Sequence, residues 1–228
     1  MNKIELINNL INKHKINDIF PSNSWLNQIT HLEGIPKHKI IDICGDEQSG
    51  KTIISYQIMK ELQNDYKILY IDTDFKSNID FMRKIGLNEK DIIYVASSDL
   101  DEILNIIDIM GSTDIIQLVI IDSIAGLKNN KDTNTSKLLN LAIKQFANKV
   151  NKYNISMICI SQYRFTLSGE NIKLGKKAFD LYSSLSLICN KDNDIIHNNK
   201  KIGEQIKIIT EKNKISNYFQ EYYYKFYY

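Results

Sequence analysis

Proline is nearly absent, with two residues in 228, and neither an internal repeat nor a long low-complexity linker interrupts the chain. That argues against separate modules strung on flexible or proline-rich spacers. Cysteine is also sparse. Cys44, Cys159 and Cys189 are odd in number, far apart and set in apolar runs, which excludes a disulfide framework and favours buried, reduced thiols. The four histidines (His14, His31, His38 and His197) have no metal-ligand spacing. No segment approaches the roughly 18 apolar residues that a membrane span needs. The opening "MNKIELINNLINKHK" carries a charge every few residues where a signal peptide would have an apolar core. No membrane association and a cytoplasmic location are therefore expected. Charge of either sign is not in excess: 29 basic against 27 acidic residues leave +2, which neither demands nor excludes nucleic acid. The length suits one main domain.

What is present is a regular alternation. "KIIDIC" (39–44), "YKILYID" (66–72), "DIIYVA" (91–96), "IIQLVIID" (115–122) and "ISMICISQ" (155–162) read as strands. Between them lie helical periods: Ile54, Ile58 and Leu62; Ile103, Leu104 and Ile107 after Ser98 or Asp99; and Leu139, Ile143, Phe146 and Val150. Strands apolar on both faces and separated by helices define an α/β fold, a mostly parallel sheet with helices on both faces. From residue 181 the strand-like runs "LYSSLSLIC", "EQIKIIT" and "NYFQEYYYKFYY" follow one another without helices, so an antiparallel C-terminal extension is expected.

The stretch "GDEQSGKT" between a strand and a helix fits G-x-x-x-x-G-K-[ST]. Glycines at 45 and 50 let successive backbone N–H groups of Gly45, Asp46, Glu47, Gln48, Ser49, Gly50, Lys51, Thr52 and Ile53 face phosphates at a helix N-terminus. Lys51 brings a point charge, and the Thr52 hydroxyl is a Mg²⁺ ligand. A second metal residue is needed, and Asp122 at the tip of "LVIID" takes the Walker B position; a turn-capping role is the alternative. Asp74, just past a strand expected beside the phosphate-loop strand, is the candidate for orienting and deprotonating water, with Asp72 as the alternative. Gln162 ends its strand on the same edge, either to sense the γ-phosphate or to cap the strand.

Five blocks in one order, "GDEQSGKT", "YIDTD...RKIGL", "VIIDSIAGL", "ISQYR" and "KNKI", resemble the core of the RecA family of recombinases over roughly residues 22–228. The resemblance implies a RecA-like P-loop NTPase fold, ATP and Mg²⁺ as cofactors, single-stranded DNA as partner, and self-association into a filament or ring with ATP between subunits. It places Asp74 where the family has its catalytic glutamate, one methylene longer, and so implies slower hydrolysis. It matches Phe81 to an adenine-packing aromatic, Gln162 to the glutamine that couples nucleotide to DNA, and Lys212 and Lys214 to lysines that reach the neighbouring subunit's nucleotide. Tyr228 matches a second adenine-stacking residue, with a half-buried aromatic strand as the alternative. The DNA-facing loops would be 128–137 and 163–177, the second offering Arg164, Lys173, Lys176 and Lys177 beside Tyr163 and Phe165. Both are shorter than in the family. Residues 1–30 are expected to form a helical segment, with Ile4, Ile7, Leu10 and Ile11 on one face for packing on a neighbour, and residues 31–228 the ATPase core. The expectation is a DNA-dependent ATPase acting in recombination and repair; the alternatives are a nucleotide- and DNA-binding accessory or annealing factor, or a regulatory ATPase without DNA.

Overall fold

The computed structural model describes residues 18–22, 24–88, 90–129, 134–165, 171–216 and 219–228. Of the segment 1–30 expected to be helical, residues 1–17 and 23 lie outside them, and the described part holds a strand before its helix. Ile19–Pro21 (β1) pairs antiparallel with Gly34–Pro36 (β2), and between them the short helix Trp25–Thr30 (α1) is opened by the Ser24 side chain accepting from the Leu26 N–H. This unit is tied to the body of the chain by Thr210, whose hydroxyl donates to the Ile29 carbonyl at 2.9 Å, and by stacking of Trp25 on Tyr222.

The body is one eight-stranded sheet. Its parallel strands are Ile40–Cys44 (β3), Ile68–Asp72 (β4), Ile92–Ala96 (β5), Leu118–Asp122 (β6) and Ser156–Ile160 (β7), joined by the first part of Ser183–His197 (β10). Lys200–Asn213 (β11) and Glu221–Tyr227 (β12) add antiparallel strands. The order is β12-β11-β10-β3-β7-β6-β4-β5. The α/β class and its antiparallel extension are thus as read from the hydrophobic pattern. One neighbour relation is corrected: β4, which carries Asp74 just past its end, is separated from the phosphate-loop strand β3 by β7 and β6. Chain order does not set strand order, because each βαβ crossover is free to pass over several strand positions.

Alternate strand residues enter two separate cores. Ile41, Ile43, Tyr70, Ile120 and Ile158 pack under Lys51–Leu62 (α2) through Ile54, Ile58 and Leu62. Ile40, Leu69, Ile71, Val119, Met157 and Cys159 pack under Leu100–Gly111 (α4) and Thr135–Tyr153 (α5), where Ile103, Ile107, Leu139, Ile143 and Phe146 are fully buried. Asp99 caps α4 by accepting from the amides of Asp101 and Glu102. All three cysteines are free and buried. Two further short helices, Ile79–Lys84 (α3) and Lys176–Tyr182 (α6), fall in stretches too short to show a helical period.

The loop expected at 163–177 resolves differently. Tyr163–Phe165 (β8) and Asn171–Lys173 (β9) form a hairpin, and Lys176 already belongs to α6. In the loop expected at 128–137, residues 130–133 lie outside the described part and Asn134 caps α5 by accepting from the Lys137 amide.

Candidate nucleotide-binding site

The carboxyl ends of the parallel strands meet along one edge of the sheet, the edge at which open α/β sheets bind ligands. A depression there is lined by Glu47, Gln48, Lys51, Thr52, Tyr56, Asp72, Asp74, Lys76, Ser77, Asp122, Ser123, Ile160 and Gln162. Residues distant in sequence are brought together as the motif requires: the loop from β3, Asp74 from β4, Asp122 from β6 and Gln162 from β7.

The phosphate loop is shaped by glycine. Gly50 is the N-cap of α2 at φ +90, a left-handed backbone that side chains disfavour. A Cβ at Gly45 would lie 2.2 Å from the Cys189 carbonyl oxygen, so the loop passes β10 at a distance that only glycine allows. Lys51 folds back into the loop, its ammonium donating to the Asp46 carbonyl and, at 3.3 Å, to Ser49 Oγ. Burial lowers its pKa, opposed by Cys189, Cys44, Asp122 and Asp46. A cation held in a ring of loop oxygens is poised for a phosphate, which offers it better acceptors.

Thr52 Oγ1 donates to Asp122 Oδ2 at 2.8 Å. One hydroxyl and one carboxylate suit Mg²⁺, which takes one or two protein oxygens plus substrate phosphates. When bound, Mg²⁺ supplies charge neutralisation on the β- and γ-phosphates. Asp122 is raised in pKa, first by burial and further by Asp72 and Asp74, although hydrogen bonds from Tyr70 and Thr52 oppose the shift. That is the behaviour of a carboxylate lacking a full complement of cationic partners.

Tyr70 was not foreseen. It is fully buried, and its hydroxyl lies 2.8 Å from the same Asp122 Oδ2 and 3.2 Å from Ser77 Oγ. Tyr94 in turn donates to Asp72 Oδ2 at 3.0 Å, and the Ser77 amide donates to the same oxygen at 2.8 Å. Burial alone would raise Asp72; these donors bring it below the ordinary carboxylate range. Asp72 is therefore committed to organising the turn at Asp74, Lys76 and Ser77. In a strand a tyrosine reads as an ordinary core aromatic, so no local signal marks Tyr70. Tyr70→Phe removes one of two donors to Asp122 and is expected to raise the Mg²⁺ needed for nucleotide binding by about 10–100-fold, as is usual for groups that orient a metal ligand. A Mg²⁺ titration of fluorescent-nucleotide binding measures it.

Asp74 Oδ2 accepts from Ser123 Oγ at 3.1 Å, which turns the carboxylate toward the end of β6. Gly126 leaves room for it, since a Cβ there would stand 2.7 Å from Asp74 Oδ1. Gln162 lines the same depression.

Other expected site residues lie elsewhere. Phe81 and Tyr228 are not among the lining residues. Phe81 packs between Tyr56 and Phe226, with ring centroids at 6.4 and 6.1 Å, and Tyr228 meets Phe226 edge-on at 5.7 Å. Ile53 is half-buried against the core under α2. Lys212 and Lys214 do not reach the phosphate loop of their own chain. Lys212 Nζ donates to the carbonyls of Phe179 and Asp180 at 2.8 and 2.9 Å and to Ser183 Oγ at 3.0 Å, and Lys214 approaches the Asp180 and Leu181 carbonyls at 3.4 and 3.5 Å. Burial first, then the neighbouring Lys214, brings Lys212 down to about 8. Arg164 and Lys177 are exposed, and Lys176 is exposed with an ion pair to Asp180 at 3.1 Å.

Lys173 requires a correction. Expected to face DNA, its side chain is 5% exposed, with Nζ 2.6 Å from Asp42 Oδ2 and 2.5 Å from Glu211 Oε2. Two carboxylates converging on one buried ammonium leave no access for a phosphate.

A glycine-shaped loop between a strand and the N-terminus of a helix, on a mostly parallel sheet with helices on both faces, is the P-loop NTPase fold. The RecA N-terminal domain model matches residues 4–228, and the chain belongs to the RecA family. Among curated relatives, it is 26% identical over 215 residues to Protein RecA of Mycoplasmopsis pulmonis, covering 87% of this chain and 63% of that protein. It is 27% identical over 205 residues to Protein RecA of Mycoplasma mobile (83% and 62%). It is 25% identical over 224 residues to Protein RecA of Campylobacter lari (91% and 65%). The chain thus spans somewhat less than two thirds of the length of these relatives. Among the described residues, no helix is long and apolar enough to cross a membrane.

Proposed function

We propose that this protein is a RecA-type, Mg²⁺- and ATP-dependent recombinase core that binds single-stranded DNA and hydrolyses ATP in response to it. The observation that carries this reading is the position of Gln162. It lines the nucleotide depression, and its carbonyl accepts from the Leu174 amide at 3.0 Å, closing the base of the β8–β9 hairpin. One residue thus belongs both to the phosphate site and to the segment that would contact DNA. Arg164, Lys176 and Lys177 offer cations beside it for phosphate contact.

In this reading Lys51 and the loop amides bind the triphosphate, Thr52 and Asp122 hold the metal, and Asp74 orients the attacking water and accepts its proton. The apolar stripe Ile4, Ile7, Leu10 and Ile11 serves subunit contact, and Lys212 and Lys214 act on the nucleotide of a neighbouring subunit, where cations neutralise charge on the transferred phosphoryl group. Phe81, which packs on the lining residue Tyr56, and Tyr228 flank the base where it extends beyond the phosphate end of the depression. The test is ATP hydrolysis by the purified chain with and without single-stranded DNA, with Lys51→Ala as the blank. Stimulation by DNA supports the reading. DNA binding without stimulation supports instead an accessory factor with little turnover, which the short Asp74 side chain favours; absence of DNA binding leaves a regulatory ATPase.

Two smaller effects follow from this assignment. Asp74→Glu supplies the methylene by which Asp74 falls short of the family's glutamate and is expected to raise kcat by about tenfold, because small misplacements of a catalytic group are costly. Steady-state kinetics with kcat and KM separated would check it. Lys212, charged below about 8 and neutral above it, loses its cation as pH rises. Because that value is the nucleotide-free chain's, kcat/KM for ATP is expected to fall as pH passes about 8, and Lys212→Arg to move that limb upward, since a guanidinium stays charged.

A further inference from the structure

Asp42 lies in the phosphate-loop strand, three residues before Gly45, and its side chain has no exposed surface. Its Oδ1 accepts from Ser161 Oγ at 2.6 Å, and its Oδ2 stands 2.6 Å from Lys173 Nζ. Ser161 immediately precedes Gln162, and Lys173 ends β9, paired in register with Tyr163. One buried carboxylate therefore grips both ends of the segment 161–173. Backbone bonds reinforce the grip: the Ser161 amide donates to the Ile43 carbonyl at 2.9 Å, and the Leu174 amide to Gln162. Lys173 also reaches Glu211, the residue before Lys212 on β11.

A buried ion pair is a poor way to gain stability, since desolvation of both charges offsets their attraction and an apolar pair of similar volume serves as well or better. What it provides is orientation. Asp42 and Lys173 sit where the phosphate-loop strand, the end of the Gln162 strand and the return strand of the hairpin meet.

We propose that Asp42 and Lys173 are a positioning pair that fixes the base of the β8–β9 hairpin to the phosphate-loop strand and thereby holds Gln162 against the nucleotide depression. Neither residue touches nucleotide; both act through the backbone on either side of Gln162. The hairpin then does not move independently of the phosphate loop, and nucleotide occupancy is transmitted to it through the Asp42 carboxylate. This inference rests on the proposed role of Gln162.

The test uses the whole chain carrying Asp42→Asn and Lys173→Met together, which removes both charges at nearly constant volume and spares the fold an unpaired buried ion. Hydrogen exchange at the amides of Tyr163–Phe165 and 171–174 is followed with and without Mg²⁺ and a non-hydrolysable ATP analogue. In the parent chain the analogue is expected to slow exchange at these amides. In the double variant that response is lost while exchange in β3 and β6 stays slow. In parallel, DNA-stimulated kcat is expected to fall about tenfold in the variant with KM for ATP moving less, the split that a misplaced rather than missing group gives. A variant whose hairpin amides respond to nucleotide as the parent does overturns the proposal, as does a parent whose hairpin does not respond at all. The exchange measurement needs no DNA. A parent chain that DNA fails to stimulate would remove the recombinase reading while the exchange result still decides the positioning pair.

Discussion

Lys51→Ala is expected to reduce ATP hydrolysis by about 10²–10³-fold, the usual effect of removing a preorganised donor from a site where charge develops. The ammonium emerges from the first turn of α2 and is inserted into its own loop, bonded to the Asp46 carbonyl and Ser49 Oγ. Burial has already removed most of its water and lowered its pKa, so little further desolvation is needed when a triphosphate replaces those oxygens. The loop backbone does not need the lysine to keep its path, because the tight passage of Gly45 past Cys189 and the left-handed Gly50 set it. The variant should therefore fold normally. Circular dichroism of the variant and steady-state hydrolysis at saturating Mg²⁺ would check both halves, and titration with a fluorescent nucleotide would separate lost affinity from lost turnover. Turnover equal to the parent's would mean that the measured hydrolysis does not come from this site.

How much of this was legible in the sequence depends on whether the determining interactions are local. The phosphate loop is a fixed spacing beside a strand and a helix, and the structure has that strand, Ile40–Cys44, before it and that helix, Lys51–Leu62, after it. The apolar periods Ile54–Ile58–Leu62 and Leu139–Ile143–Phe146–Val150 translate directly into buried helix faces, because a 3.6-residue repeat is a property of the chain itself. Asp122 and Asp72 both stand at the tips of apolar runs, and only the fold separates them, bringing Asp122 to the Thr52 hydroxyl and Asp72 to Tyr94 and the Ser77 amide. The position of β4 in the sheet was not recognisable, since strand order depends on crossovers that leave no mark on the strands. Nor was Tyr70, whose hydroxyl finds Asp122 across 52 residues of chain. Lys173 shows the limit most clearly. In sequence it is one basic residue among several in a stretch with Arg164 and Lys177. Only the fold brings Asp42, 131 positions earlier, and Glu211, 38 positions later, onto its ammonium.

That placement predicts a large stability effect. Lys173→Met is expected to destabilise the protein by about 3–5 kcal/mol, because it leaves the fully buried Asp42 carboxylate without its cation. The methionine fills the space of the lysine stem, so the loss is electrostatic and not a cavity effect. Adding Asp42→Asn should return most of it: the amide oxygen still accepts from Ser161, and the one carboxylate left without its cation, Glu211, is partly exposed to water. Urea unfolding of the parent, both single variants and the double variant gives the coupling directly. The pH dependence has a determined sign. Asp42 in the parent is already above its ordinary 3.8 through burial, with Lys173 as the first influence opposing the shift. Without Lys173 it must rise further. A carboxyl whose pKa is higher folded than unfolded binds more protons in the folded state, so its contribution is most favourable below the unfolded value and declines as pH increases. The deficit of Lys173→Met should therefore be greatest at neutral pH and narrow toward acid, while the double variant, with no carboxyl at position 42, should show no such narrowing. A deficit independent of pH would mean that Lys173 supports the hairpin through its hydrocarbon stem and Glu211, and that Asp42 is not the group its charge compensates.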